Sequence, residues 1–255
     1  RGLGYTILTG EKNGIRAQQE LFVPRGDACE IDRLTLENKT DAPRTLDVFS
    51  YVEFCLWDAM DDSSNFQRNF STGEVEVVGS AIYHKTEYRE RRDHYAVFWA
   101  NTPVTSFDTS RDAFCGVYGG PAEPEAVKAG HCSNSVAHGW APVGAHHFHL
   151  TLEAGEMKTI LFGLGYIENP VAEKFTAPGV INKARAEAMM ARYATDAPVD
   201  EARKALAAHW DDLLSALQLD SGDEKLDRMV NLWHQYQCMV TFNMSRSASY
   251  FESGT

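Results

Sequence analysis

The sequence predicts an antiparallel β-sandwich followed by a helical region. Up to about Tyr166, short segments alternate apolar with polar residues and are separated by turns, without intervening helices. After Asn169-Pro170 the apolar period becomes 3.6, and residues that favour helices, such as Ala, Glu, Lys, Arg and Met, become frequent. We therefore predict a β + α multidomain chain with a sandwich over 1–168, a helical linker over 169–220 and the start of another helical domain over 221–255.

The predicted strands follow this alternation in chain order. Lys39–Pro43 has the composition of a turn, and Glu153–Glu156 has that of a hairpin connection. The strands are Arg1–Ile7, Ile31–Asn38, Arg44–Tyr51, Val75–Val78, Tyr95–Ala100, His147–Leu152 and Thr159–Tyr166.

Three helices are predicted after the sandwich. The first covers Ile181 to about Ala194, and the second begins near Pro198 and Asp200, where proline and acidic residues are tolerated or favoured. The third enters through Ser221–Glu224. The apolar stripe of the second helix is Leu206, Trp210, Leu213, Leu214 and Leu217, and that of the third is Leu226, Val230, Trp233, Gln237 and Val240. We expect Trp210 and Trp233 to lie in the core, and the third stripe to stay partly exposed in a chain that ends at Thr255.

Composition limits the class of ligand. The 255 residues are 44% hydrophobic and carry a net charge of -12. No apolar run approaches the roughly 18 residues of a membrane span. Nucleic acids and anionic membranes are bound through clustered Lys and Arg, so this charge argues against both as partners. A neutral ligand such as a sugar agrees better with it.

Cysteine and histidine residues suggest neither a disulfide framework nor a metal site. The five cysteines show no Cys-x-x-Cys spacing, which predicts reduced thiols and a cytoplasmic protein. His146, His147 and His149 are close in sequence, but in a strand only His147 and His149 share a face. No Asp or Glu stands nearby in sequence, so we interpret the segment as an ordinary polar strand.

Two polar segments are candidate ligand contacts. Asp61–Phe70 contains Gln67 and Arg68, whose amide and guanidinium groups suit sugar hydroxyls, although a turn with local hydrogen bonds is the simpler interpretation. Arg246 is flanked by small residues and suits phosphate or vicinal hydroxyls. The arginines of Glu87–Asp93 favour a salt-bridged surface over ligand contact. Trp140 lies in a predicted loop, and whether a sugar ring stacks on it is left open.

Five strings together resemble a known family. They are Gly2–Tyr5, Val52–Trp57, Asn65–Asn69, Ile82–Arg92 and Ser245–Gly254. The chain resembles the inverting β-glucoside phosphorylases of glycoside hydrolase family 94 over essentially its whole length. That resemblance implies an N-terminal β-sandwich, a helical linker, an (α/α)6 catalytic barrel and a C-terminal β domain. The chain would then be an internal fragment that reaches the first barrel helix and is inactive alone.

The resemblance also implies an activity. Family members cleave cellobiose with inorganic phosphate, a substrate and not a cofactor, to α-glucose 1-phosphate and glucose. Gln67 and Arg68 match the sandwich loop that contacts the leaving-group sugar, and Arg246 matches a segment near the donor sugar and phosphate. The general acid would be an aspartate beyond Thr255, so no catalytic residue is expected here.

Alternatives to this activity remain open. The same family includes chitobiose and cellodextrin phosphorylases. A non-catalytic carbohydrate-binding sandwich is a hypothesis of another class. The family usually forms homodimers, and no metal or other cofactor is expected.

Overall fold

The computed structural model describes residues 2–54, 73–86, 93–137, 139 and 142–244. The chain divides into two compact units, Arg1–Glu201 and Ala202–Thr255. The described residues of the first unit form β1 (Tyr5–Lys12), β2 (Ile15–Phe22), β3 (Cys29–Asn38), β4 (Arg44–Glu53), β5 (Gly73–Val78), β6 (Ala81–Thr86), β7 (His94–Ala100), β8 (Ser106–Ser110), β9 (Pro142–Leu152), β10 (Met157–Glu168), β11 (Phe175–Ala177) and β12 (Val180–Ile181).

These strands build two antiparallel sheets of unequal width. Seven strands follow the order β1-β2-β3-β10-β7-β6-β5, and three follow the order β4-β9-β8. A separate hairpin joins β11 to β12. Because successive side chains point to opposite faces of a strand, each sheet turns one set of residues inward and the other outward.

The inward-facing residues form an aromatic core. Phe148 is 1% exposed, and its ring lies 5.7 Å edge-on from that of Phe162. Phe98 and Ile82 belong to the same buried cluster. Burial of a large apolar side chain stabilises a fold by roughly 1.5–3 kcal/mol, so this cluster holds the sheets together.

Three helices lie on the outer faces of the sheets: α1 (Arg111–Cys115), α2 (Glu125–Ala129) and α3 (Ala184–Arg192). A 3₁₀ turn covers Val171–Glu173, and α4 (Asp196–Leu214) begins in this unit. Phe114 of α1 stacks on Tyr51 of β4 at 4.9 Å. On the large sheet, a Cβ added at Gly163 would lie 2.1 Å from Trp99 Cζ2, so the β10 backbone passes directly against the indole. Only glycine fits there.

The second unit, with its described residues running to 244, contains the end of α4, then α5 (Glu224–Arg228), a π-helical segment (Met229–His234) and α6 (Gln235–Met244). Asp223 caps α5, since its carboxylate accepts from the Lys225 amide at 2.9 Å. No helix in the described part of the chain is long and apolar enough to cross a membrane.

The fold class predicted from the sequence is confirmed, and each predicted strand and helix overlaps an observed one. The expectation that Trp233 lies in the core is wrong, because its side chain is 55% exposed. The expected partial exposure of the third stripe is observed, since Leu226 is also exposed. Leu217 lies beyond the end of α4 and is also exposed.

Candidate substrate-binding site

One end of the sandwich brings together the residues that flank two undescribed segments. The pairing of Gly73 with Thr86 and of His94 with Glu168 places the start of β5, the end of β6 and the start of β7 at this end. Phe54, the last described residue before 55–72, stacks on His84 of β6 at 4.9 Å. Residues 54, 73, 86 and 93, which border segments 55–72 and 87–92, belong to this end.

The predicted site residues lie outside the described residues. Gln67 and Arg68 fall in 55–72, and Arg246 follows the last described residue of α6. The assignments of Gln67, Arg68 and Arg246 therefore stay predictions. The same holds for Trp57, Asn65, Arg89, Arg91, Arg92 and Trp140.

Glu53 fixes the chain immediately before the segment that carries Gln67 and Arg68. The Tyr51 hydroxyl donates to Glu53 Oε1 at 2.7 Å, and Arg111 Nε donates to the same oxygen at 3.2 Å. Burial, followed by the hydrogen bond to Glu53, raises the pKa of Tyr51, so its phenol stays a donor at neutral pH. The end of β4 is thus tied to α1.

Phe54 is held by a neutral histidine. Burial, with a smaller contribution from the neighbouring His94, lowers the pKa of His84 to about 4. An uncharged imidazole can stack on a buried phenyl ring without the free-energy cost of removing a charge from water. Next to Phe54, a cavity of about 450 Å³ lies between the sheets and is lined in part by Cys29, Ala96 and Tyr166.

The outer face near the second segment is also fixed. Lys85, at the end of β6, is 3% exposed, forms an ion pair with Glu74 and donates to the Gly179 carbonyl at 2.7 Å. The β11–β12 hairpin thereby covers the β5–β6 edge. The buried lysine is paired, as an ammonium removed from water must be.

The histidine strand has two different faces. His146 points inward, stacks on Phe98 at 4.7 Å, and burial lowers its pKa to about 4. His147 and His149 share the opposite face, as predicted, and both bond to Asp47 Oδ1, at 2.9 and 2.8 Å. Those two hydrogen bonds, with that of His149 the larger effect, lower the pKa of Asp47.

Asp47 is a carboxylate beside the histidines, where the sequence suggested none. It is distant in sequence, but β4 pairs with β9 so that Asp47 lies opposite His149. His147 Nδ1 also contacts Ser106 Oγ at 2.9 Å, so both ring nitrogens of His147 have hydrogen-bond partners. No group of three or more His, Cys, Asp or Glu side chains among the described residues is arranged to hold a metal ion. The cluster joins β4, β8 and β9 of the small sheet.

Comparison with known proteins identifies the family. Residues 1–196 match the Glycosyl hydrolase 94 supersandwich domain, and residues 209–255 match the Glycosyl hydrolase 94 superfamily catalytic domain. The chain belongs to glycoside hydrolase family 94. It comprises the antiparallel supersandwich and the start of the catalytic domain.

Named relatives include several disaccharide phosphorylases. The chain is 32% identical over 256 residues to N,N'-diacetylchitobiose phosphorylase of Vibrio furnissii, which covers 99% of this chain and 30% of that protein. It is 32% identical to solabiose phosphorylase of Paenibacillus borealis over 62% of this chain and 21% of that protein. The cyclic β-(1,2)-glucan synthase NdvB of Rhizobium meliloti (strain 1021) is 26% identical over 99% of this chain and 8% of its own length. The chain thus spans under a third of the length of these relatives.

Proposed function

We propose that the protein containing these residues cleaves cellobiose reversibly with inorganic phosphate, to α-D-glucose 1-phosphate and D-glucose with inversion. The observation that carries this proposal is the match to both family domains, in order, over residues 1–196 and 209–255. The relatives named as phosphorylases of other disaccharides support the reaction class more strongly than the particular sugar.

The reaction requires one proton donor and groups that hold the phosphate anion against the sugar. A phosphate oxygen forms a bond to the anomeric carbon as the bond from that carbon to the leaving sugar oxygen breaks, and a general acid gives its proton to that oxygen. An inverting hydrolase also needs a base to activate water. Phosphate is already a nucleophile, so cationic and hydrogen-bonding groups take the place of the base. We place the general acid on an aspartate outside residues 1–255.

We propose that Gln67 and Arg68 bind the leaving-group sugar, and that Arg246 binds on the donor and phosphate side. A guanidinium group donates two parallel hydrogen bonds, which suits vicinal hydroxyls or a phosphate. The fixed flanks of the first segment support this role: Glu53 bonds to Tyr51 and Arg111, and Phe54 stacks on His84. A loop that positions a sugar needs rigid attachment points.

Three other candidates compete with phosphorolysis of cellobiose. The identity of 32% to N,N'-diacetylchitobiose phosphorylases of Vibrio furnissii and Vibrio proteolyticus favours chitobiose as the alternative substrate. Cellodextrins are a third possibility within the reaction class. A non-catalytic carbohydrate-binding sandwich is the candidate from another class.

The test is phosphorolysis by a protein of the relatives' full length. Cellobiose, N,N'-diacetylchitobiose and cellodextrins are each incubated with and without phosphate, and release of sugar 1-phosphate is followed. We expect glucose 1-phosphate from cellobiose only when phosphate is present. Product from chitobiose alone would show that the specific sugar is wrong but the reaction right. Binding of sugars without any sugar 1-phosphate would favour the non-catalytic candidate.

A further inference from the structure

The segment that joins α4 to α5 is held by side chains of the helices that follow it. Residues 215–223 are exposed and form no regular helix or strand. Backbone groups of such a segment are ordinarily satisfied by water. Here two amide side chains, Asn231 and Gln235, make four hydrogen bonds to this segment and to the end of α4. We call Asn231 and Gln235 the amide clasp.

Asn231 binds both backbone groups of a single linker residue. Its Oδ1 accepts from the Leu219 amide at 2.7 Å, and its Nδ2 donates to the Leu219 carbonyl at 2.8 Å. An amide side chain carries a donor and an acceptor, so one Asn can satisfy both groups at once. The two bonds fix the position of Leu219 and also its orientation against the π-helical segment.

Gln235 joins the start of α6 to the end of α4. Its Nε2 donates to the Leu217 carbonyl at 2.8 Å and to the Leu214 carbonyl at 3.2 Å. Leu214 is the last residue of α4, and the last carbonyls of a helix have no partner within that helix. Beside these bonds, the rings of Trp210 in α4 and Tyr236 in α6 lie 5.7 Å apart. The end of α4 therefore contacts the start of α6 through both polar and apolar groups.

The clasp acts at the start of a helix that precedes a proposed site residue. Asn231 lies in the π-helical segment, which ends directly before Gln235, and such segments occur frequently at functional sites. Gln235 Nε2 also donates to the Asn231 carbonyl at 3.1 Å, so the two clasp residues contact each other. α6 then runs to Met244, two residues before Arg246 in the sequence.

We propose that Asn231 and Gln235 are positioning residues for the donor and phosphate side of the active site. They hold the start of α6 against the segment after α4, and so fix the helix that precedes Arg246 in the chain. Neither side chain is assigned a contact with substrate. Phosphate must be held in line with the anomeric carbon, and a small displacement of the groups that hold it is costly in rate and binding. This role rests on the proposed function, because phosphate has to be a substrate.

Gln235→Glu in a protein of the relatives' full length tests the proposal. The substitution keeps the size of the side chain, removes its N–H donor and places a carboxylate beside two carbonyl oxygens. We expect the KM for phosphate in phosphorolysis to rise roughly tenfold, while the KM for glucose in the synthetic direction stays within about twofold. Gln237→Glu is the matched control, because it adds the same charge to the same helix. Gln237 is exposed and makes one weak contact, to Thr241 Oγ1 at 3.4 Å, so its variant should keep both constants.

Asn231→Asp gives a second readout if Gln235→Glu does not fold. The carboxylate still accepts from the Leu219 amide but cannot donate to its carbonyl, so the KM for phosphate should rise in the same direction by a smaller factor.

The other outcomes would overturn the proposal. An equal rise in the KM for phosphate in Gln235→Glu and Gln237→Glu would show an effect of charge alone. Equal losses for phosphate and glucose, with a lower melting temperature, would show a structural role only. Unchanged constants in both clasp variants of an active protein would refute the clasp and leave the proposed function standing. Absence of sugar 1-phosphate from the unmodified protein would refute the proposed function and the positioning role together.

Discussion

The sandwich and the helical unit differ in how far they bury their large aromatic side chains. In the sandwich, Tyr83, Tyr95 and Phe148 are each no more than 1% exposed. In the helical unit, Trp233 is 55% and Phe242 is 64% exposed. The sandwich therefore has a core of its own, while the helical unit leaves large apolar side chains uncovered in this chain. The difference follows the two family domains, since residues 1–196 match the supersandwich domain and residues 209–255 match the start of the catalytic domain.

The largest predicted effect is in the sandwich core. Phe148→Ala removes a ring packed against Phe162 and His146, and the cost of such a cavity is about 3–5 kcal/mol. Urea unfolding of the 255-residue chain, followed by near-ultraviolet circular dichroism, measures it. A loss below about 1 kcal/mol would show that the two sheets are not held by this cluster.

Two buried histidines of the sandwich should make the stability of the chain depend on pH. His84 and His146 have their pKa lowered from 6.5 to about 4 in the folded state. Between these values the unfolded chain binds protons that the folded chain does not. Stability is therefore complete above pH 6.5 and falls as the pH drops toward 4, by about 3 kcal/mol per histidine at most.

Unfolding by urea at pH 7.5, 6, 5 and 4.5 checks this expectation. His146→Gln should reduce the loss of stability on acidification, because one of the two groups is removed. A stability that is constant between pH 7 and 4.5 would contradict the burial of these imidazoles.

A smaller effect is expected at the close contact of β10 with Trp99. Gly163→Ala places a methyl group 2.1 Å from the indole, and overpacking of this kind costs about 1–3 kcal/mol. Gly10→Ala in β1 is the matched control, since no atom lies within 4 Å of the added carbon. Equal melting temperatures for the two variants would show that the contact can relax.

The smallest effect is expected in the helical unit. Trp233→Ala removes a largely exposed ring, so the free energy of unfolding should change by less than about 1 kcal/mol in the 255-residue chain. Thermal unfolding measures the change. A loss comparable to that of Phe148→Ala would remove the contrast between the two units.

The alternation of apolar and polar residues predicted most of the sandwich. β3 and β4 have period-two patterns and a turn between them, and a turn also separates β9 from β10, so the positions of these strands follow from the sequence. β2 was missed because its central Gln18-Gln19-Glu20 is polar on both faces. Glu20 is nevertheless buried, since Arg33 from the adjacent strand pairs with it. The sequence of one strand does not show which side chain of the adjacent strand will form an ion pair with it.

The candidate site was predicted only through resemblance, and its residues lie outside the described part of the chain. Composition favoured a simple turn around Gln67 and Arg68, and the match of whole strings to a family reversed that preference. The Asp47 contact to His147 and His149 was not predictable, because it depends on the register of β4 against β9. In the helical unit, periodicity placed Trp233 on an apolar stripe, but a stripe alone does not show whether anything covers it.

We propose that the sandwich contributes the acceptor subsite of a phosphorylase, and a variant of Arg68 tests this role most directly. In a protein of the relatives' full length, Arg68→Ala should remove hydrogen bonds between a charged group and sugar hydroxyls, each worth about 1.5–3 kcal/mol. In the synthetic direction, the KM for glucose should rise at least tenfold, while the KM for phosphate in phosphorolysis and the melting temperature change little. Unchanged dependence on glucose, or a loss of phosphate affinity instead, would contradict the claim.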